Sequence, residues 1–207
     1  MRDHVLAGSI LDRSVATMTL EAGPLIRAAA VALAVALTAA AAQFTILLPF
    51  TAVPFTMGPF AVLLTGAALG ARLGFLAQAL YLAAGAAGLP VFTPSPTLPP
   101  GPLRLIGPTG GYLMAYPIAA FVTGYLGQRG WDRRYLTSFA AMLAGLFVIF
   151  TGGVTWLAVA FTGSLAAAFA QGAAPFILID LVKAAAAAMI LPQVWKVAGR
   201  SKPLARR

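Results

Sequence analysis

The sequence predicts an all-α integral membrane protein of six transmembrane helices, with both termini cytoplasmic. Three observations predict it. Sixty per cent of the 207 residues are hydrophobic, nine per cent are charged and the mean hydropathy is +0.90, so the charges are too few to coat a water-facing surface. The length allows about six spans of roughly 20 residues with short connections. The basic residues sit between the apolar runs and almost all on one side. With both ends inside, twelve of the fourteen Lys and Arg are cytoplasmic, Arg104 is outside and Lys183 is in the membrane, as the positive-inside rule requires.

Taken in order, residues 1–24 mix both signs of charge and read as a cytoplasmic tail, with room for an interfacial helical piece. Span one covers 25–48. Its polar lead is too long and too acidic for a cleaved signal peptide. Ala28, Ala32, Ala36 and Ala40 recur at fours, a period of small residues that lets a second helix approach closely. That face serves either a contact within the bundle or a partner.

Leu48-Pro-Phe-Thr-Ala-Val-Pro-Phe-Thr-Met57 repeats Pro-Phe-Thr after five residues. The prolines break the helix and hold the backbone extended, and such backbone near a membrane needs cover. This outer loop is expected to fold inward. Spans two (57–70) and three (73–89) form a hairpin around Gly70-Ala-Arg72-Leu-Gly74. Pro90 to Pro108 holds seven of the fifteen prolines and is expected to be a non-helical outer loop that covers a cavity. Span four (111–127) follows Gly107-Pro-Thr-Gly-Gly-Tyr112, whose backbone N–H groups at a helix start suit an anionic oxygen. A cytoplasmic connection, span five (136–161) with Trp156 towards its outer end, a short outer turn and span six (173–194) follow. These spans make one membrane domain, 25–195, before a basic cytoplasmic tail at 196–207.

Composition also limits the chemistry. The chain has no cysteine, and its one histidine, His4, lies in the N-terminal tail. No metal-ligand cluster, nucleophile–base pair or Walker lysine loop can be assembled, so no enzyme, catalytic residue, metal or cofactor is expected. The net charge of +9 is spread between apolar runs and not gathered with aromatics, which argues against nucleic acid. Membrane lipid is the expected surroundings.

Asp180 and Lys183 are the ionisable pair inside an apolar run. Each costs ~3 kcal/mol at mid-membrane. Three apart, they share one helix face and can neutralise each other. The pair is either a bundle-stabilising ion pair or a buried polar site for a solute. A proton-coupled carrier that uses Asp180 is the chemical alternative to a binding protein.

Val53-Pro-Phe-Thr-Met57 with Phe60-Ala-Val-Leu-Leu64, Gly85-Ala-Ala-Gly-Leu-Pro-Val-Phe92, Gly107-Pro-Thr-Gly-Gly-Tyr-Leu113 and Asp180-Leu-Val-Lys183 resemble the BioY family. These are the biotin-binding S components of energy-coupling-factor (ECF) vitamin transporters. The resemblance spans about residues 30–195 in the same order. It implies six helices in a bacterial cytoplasmic membrane and a biotin pocket near the outer face. It also implies a transmembrane coupling subunit and two ATPase subunits as partners, although some members lack a dedicated ATPase module. It assigns coupling-subunit contact to the face of Ala32, Ala36 and Ala40. One departure stands out: Thr93-Pro-Ser-Pro-Thr-Leu-Pro-Pro-Gly-Pro102 replaces the family's glycine-rich run, so no ligand contact carries over from that loop.

The expected function is high-affinity biotin binding and uptake, with an ion- or proton-coupled secondary carrier as the alternative. The expected ligand-binding residues are Asp180, Lys183, Arg104, Gly110, Gly111, Tyr112, Thr56, Phe55 and Trp156. Asp180 suits the ureido N–H groups, and Lys183 suits the ureido carbonyl or the carboxylate. At a Cβ separation of ~5–6 Å the pair spans only one end of biotin, leaving Arg104 or the Gly110–Gly111 amides for the other.

Overall fold

The fold consists of helices of very different length and a small, partly exposed β-hairpin. The structure is a computed structural model that describes residues 22–95 and 100–200, without the side chains of 22 and 197–200. The N-terminal tail before residue 22, the C-terminal tail beyond residue 200 and residues 96–99 of the proline-rich segment lie outside the described residues.

Helix α1, Ala22–Gln43, ends five residues before the expected limit of the first span. Strand β1, Thr45–Ile46, pairs antiparallel with β2, Phe55–Thr56, in the register Thr45 to Thr56 and Ile46 to Phe55. The prolines at 49 and 54 forbid helix, and the strand pair meets the hydrogen-bonding needs of the extended backbone. The two Pro-Phe-Thr triplets then part company: Phe50 is exposed, whereas Phe55 and Thr56 turn towards the interior.

Helix α2, Gly58–Leu69, starts with Pro59 in its first turn and stops at Gly70, whose φ of 83° only glycine adopts freely. Helix α3 is Ala71–Ala86. A one-turn helix, α4, Leu103–Ile106, interrupts the expected non-helical loop between Pro102 and Pro108. Helix α5, Gly110–Gln128, contains Pro117. A single 3₁₀ turn, Trp131–Arg133, leads to α6, Tyr135–Leu157, which loosens into a π-helical turn at Ala158–Thr162. The expected short turn after it contains a further helix, α7, Leu165–Gly172, capped by Ser164. Helix α8, Ala174–Arg200, runs on through residues expected to belong to the tail. Three stretches are long and apolar enough to cross a membrane among the described residues, Gly23–Gln43, Tyr135–Thr162 and Ala174–Lys196. The apolar Gly58–Leu69 is shorter.

Helix α5 is the hub, and glycine permits its crossings. A side chain at Gly66 would meet the Ala120 backbone at 2.7 Å, and one at Gly124 would meet Gly66 O at 2.7 Å. Backbones this close replace hydrophobic driving force with packing. The core holds Leu63, Tyr81, Ala119, Met142, Ile149 and Leu191. Helix α1 attaches through Val31 and Ala34 against Leu69 and Ala77, and through a buried polar node. There Gln78 Nε2 donates to Thr38 Oγ1 at 3.0 Å and Thr65 Oγ1 at 3.2 Å. The opposite face of α1, with Ala28, Ala32, Ala36 and Ala40, is exposed.

Candidate functional site

The site lies where the β-hairpin, the end of the proline-rich segment and the helices α5, α6 and α8 converge. Its lining includes Phe55, Thr56, Arg104, Tyr112, Asp180 and Lys183. The space free of protein atoms there is about 630 Å³ with the open mouth counted in.

Helix α8 supplies the polar end. Lys183 Nζ donates to Asp180 Oδ1 at 2.6 Å, as the i to i+3 spacing allows, and to the Thr56 carbonyl at 2.6 Å. The ammonium also lies 3.8 Å from the centre of the Phe55 ring, a cation–π contact. Two of its three donors are thus engaged, and one remains. Among the described residues, no donor other than Lys183 holds Asp180, and it engages Oδ1 alone. Asp180 is 6 % exposed and Lys183 7 %, so the pair offers one acceptor oxygen and one N–H side by side in a desolvated place.

The proline-rich segment supplies a second charge. Arg104, on α4, is buried and lines the same cavity. Burial lowers the affinity of its guanidinium for the proton from the ordinary value, opposed by Tyr81. A buried cation favours an anionic group beside it.

Aromatic side chains form the walls. Tyr81 stacks on Tyr116 with ring centres 6.3 Å apart and meets Phe92 edge-on at 5.5 Å. Phe92, Tyr112 and Tyr116 all line the cavity. Tyr112 contributes its ring there, because its hydroxyl donates to the Gly172 carbonyl at 2.8 Å and ties α5 to the end of α7.

Of the nine expected ligand-binding residues, Asp180, Lys183, Arg104, Tyr112, Thr56 and Phe55 come together around this cavity. Gly110, Gly111 and Trp156 do not line it. The Gly110 N–H already donates to the Gly107 carbonyl at 2.9 Å. A side chain at Gly111 would meet Trp156 Cβ and the Gly152 carbonyl, so that glycine serves the α5–α6 crossing. Trp156 Nε1 donates to the Gly107 carbonyl at 2.9 Å and braces the turn before α5 from behind. Sequence reasoning passed over Phe92, Tyr116 and Thr109 in the lining. Thr109 lies within the Gly107–Leu113 motif, between Pro108 and the two glycines expected to bind.

The sequence profile of the BioY family matches residues 12–200. The chain belongs to the BioY family. The probable biotin transporter BioY of Pyrococcus horikoshii is 47 % identical over 160 residues, which are 77 % of this chain and 90 % of that protein. The biotin transporter BioY of Thermotoga maritima is 37 % identical over 150 residues, 72 % of this chain and 85 % of that one. The crystal structure of the S component for biotin from an ECF-type ABC transporter superposes with a TM-score of 0.77 at 23 % identity. It covers 86 % of this chain and 95 % of its own, and the two share a fold. This BioY chain is a membrane protein, given its apolar helices and the transporters it resembles.

Proposed function

We propose that the protein binds biotin and mediates its uptake as the S component of an ECF-type transporter. The observation that carries this reading is the cavity itself. In a chain of the BioY family it joins an acid–base pair on α8 to a buried arginine on α4 across aromatic walls. Biotin has the matching chemistry: a ureido group with N–H donors and a carbonyl, apolar ring faces and a terminal carboxylate. Asp180 accepts from a ureido N–H, the remaining Lys183 donor meets the ureido carbonyl, and Arg104 pairs with the carboxylate.

The membrane arrangement belongs to the same proposal. Six helices, α1, α2, α3, α5, α6 and α8, span a bacterial cytoplasmic membrane with both ends inside, which puts the cavity towards the outer face. The six-span domain extends over 25–195 with a tail on either side. Ala32, Ala36 and Ala40 form the exposed face that meets the transmembrane coupling subunit, which two ATPase subunits drive.

Isothermal titration of the purified protein with biotin tests the reading. Saturable one-site binding is expected, with an affinity reduced at least tenfold by Asp180→Asn. Absence of binding by the wild-type protein overturns it.

A further inference from the structure

Thr109 occupies the N-cap of α5, where the ordinary duty of a threonine is to accept a hydrogen bond from a backbone N–H of the first turn. It does not perform that duty. Its backbone is helical, at φ −89° and ψ −3°, and its side chain makes no capping hydrogen bond. The residue is 8 % exposed and lines the cavity. Its Oγ1 is buried and has no hydrogen-bond partner among the described residues. An unsatisfied buried hydroxyl costs about 1–3 kcal/mol. A bound solute that takes up this hydroxyl removes that cost.

The local backbone holds Thr109 in place. The Gly107 N–H donates to the Arg104 carbonyl at 3.3 Å, the Gly110 N–H to the Gly107 carbonyl at 2.9 Å, and the Leu113 N–H to the Thr109 carbonyl at 3.2 Å. Trp156 holds the same Gly107 carbonyl from α6. Arg104 and Thr109 therefore stand on one braced segment that lines the cavity, while Asp180 and Lys183 stand on another helix.

We infer that Thr109 is a specificity-determining contact whose hydroxyl donates to the carboxylate of the bound ligand beside Arg104. The inference rests on the biotin reading above and adds a second, neutral donor for the anionic tail. A hydroxyl and a guanidinium that line one cavity from the same braced segment offer the oxygens of a carboxylate two donors of different geometry, which selects the acid over its esters.

Titration of wild type, Thr109→Val and Thr109→Ser with biotin and with biotin methyl ester, alongside thermal unfolding without ligand, tests it. Valine keeps the shape and removes the hydroxyl, so unliganded Thr109→Val is expected to melt at or above the wild-type temperature. Its biotin affinity falls about tenfold and its preference for acid over ester shrinks, whereas Thr109→Ser stays within about threefold of wild type. A structural threonine would show the reverse, lost stability with unchanged affinity. Thr109→Val that binds biotin like wild type, loses acid and ester binding equally, or fails to fold overturns the contact. Absence of biotin binding by the wild type overturns the ligand reading and this contact with it.

Discussion

Lys183 donates to the carbonyl of Thr56, 127 residues away in sequence, at 2.6 Å. One ammonium thus fastens the β-hairpin to α8 and holds the Asp180 carboxylate at the same time. The hairpin is short, and its Phe55 ring lies against the same ammonium. The polar end of the cavity and the anchoring of the hairpin are therefore one construction.

Removing Lys183 alone strands a buried carboxylate, whereas neutralising both partners removes charge and countercharge together. Breaking a buried pair from one side costs about 3–5 kcal/mol, while replacing both partners is far milder. Lys183→Met is expected to unfold at a clearly lower temperature in detergent than Asp180→Asn/Lys183→Met. Both are expected to bind biotin at least tenfold more weakly, because each lacks the Lys183 donor, and the Asp180 carboxylate is left unheld in the one and replaced by an amide in the other. Equal unfolding temperatures for the single and the double variant would show that the two charges are not coupled.

On the proposed reading Arg104 meets the carboxylate of biotin, so its removal should change selectivity more than it changes the ring contacts. Arg104→Ala is expected to bind biotin methyl ester about as well as the wild type does, while its affinity for biotin falls at least tenfold. Competition binding with the two compounds measures both. A strong residual preference of the variant for the acid would remove Arg104 from the carboxylate end.

The charges of this site were legible in the sequence because charge inside an apolar run has few explanations. Asp180, Lys183 and Arg104 stand out against a chain in which nine per cent of residues are charged. The long apolar runs were legible for the same reason, as α1, α6 and α8 show. What escaped depends on tertiary geometry. Thr45 and Thr56 become strand partners only when the two proline breaks close a hairpin. Helix α7, Leu-Ala-Ala-Ala-Phe-Ala-Gln-Gly, is too short for its pattern to separate it from a turn. Trp156 looked like a ligand aromatic, yet its N–H is spent on the Gly107 carbonyl. Thr109 carries no signal beyond that of any threonine before a helix until its missing cap is seen.

Two glycines separate packing from binding. A methyl group at Gly85 would run into the ring of Phe92, which lines the cavity and leans on Tyr81. A methyl group at Gly66 would meet the backbone of Ala120, which does not line the cavity. Overpacking of either kind costs about 1–3 kcal/mol. Both variants should melt earlier, but only Gly85→Ala should also lose biotin affinity, by about fivefold or more. An unchanged affinity in Gly85→Ala would mean that Phe92 is not part of the binding wall.

Asp132 gives a pH signature far from the cavity lining. The residue lies in the 3₁₀ turn between α5 and α6, is 1 % exposed, accepts from Trp195 Nε1 and keeps Oδ1 without a partner among the described residues. Arg133 stacks over the Trp195 ring at 5.0 Å. Burial raises the carboxyl above its ordinary value, although the Trp195 hydrogen bond and the nearby Arg133 charge pull it down. The folded protein therefore holds this proton more tightly than the unfolded chain. The resulting stability is fully present below the unfolded value and is lost as pH rises through the folded one. Asp132→Asn keeps an acceptor for Trp195 and has no proton to lose. It is expected to be at least as stable as wild type at neutral pH, with a flatter dependence of unfolding temperature on pH. Asp132→Ala loses the hydrogen bond to Trp195 and should melt below both. A wild-type unfolding temperature that rises with pH through the carboxylate range, with Asp132→Asn removing the rise, would reverse the assigned direction.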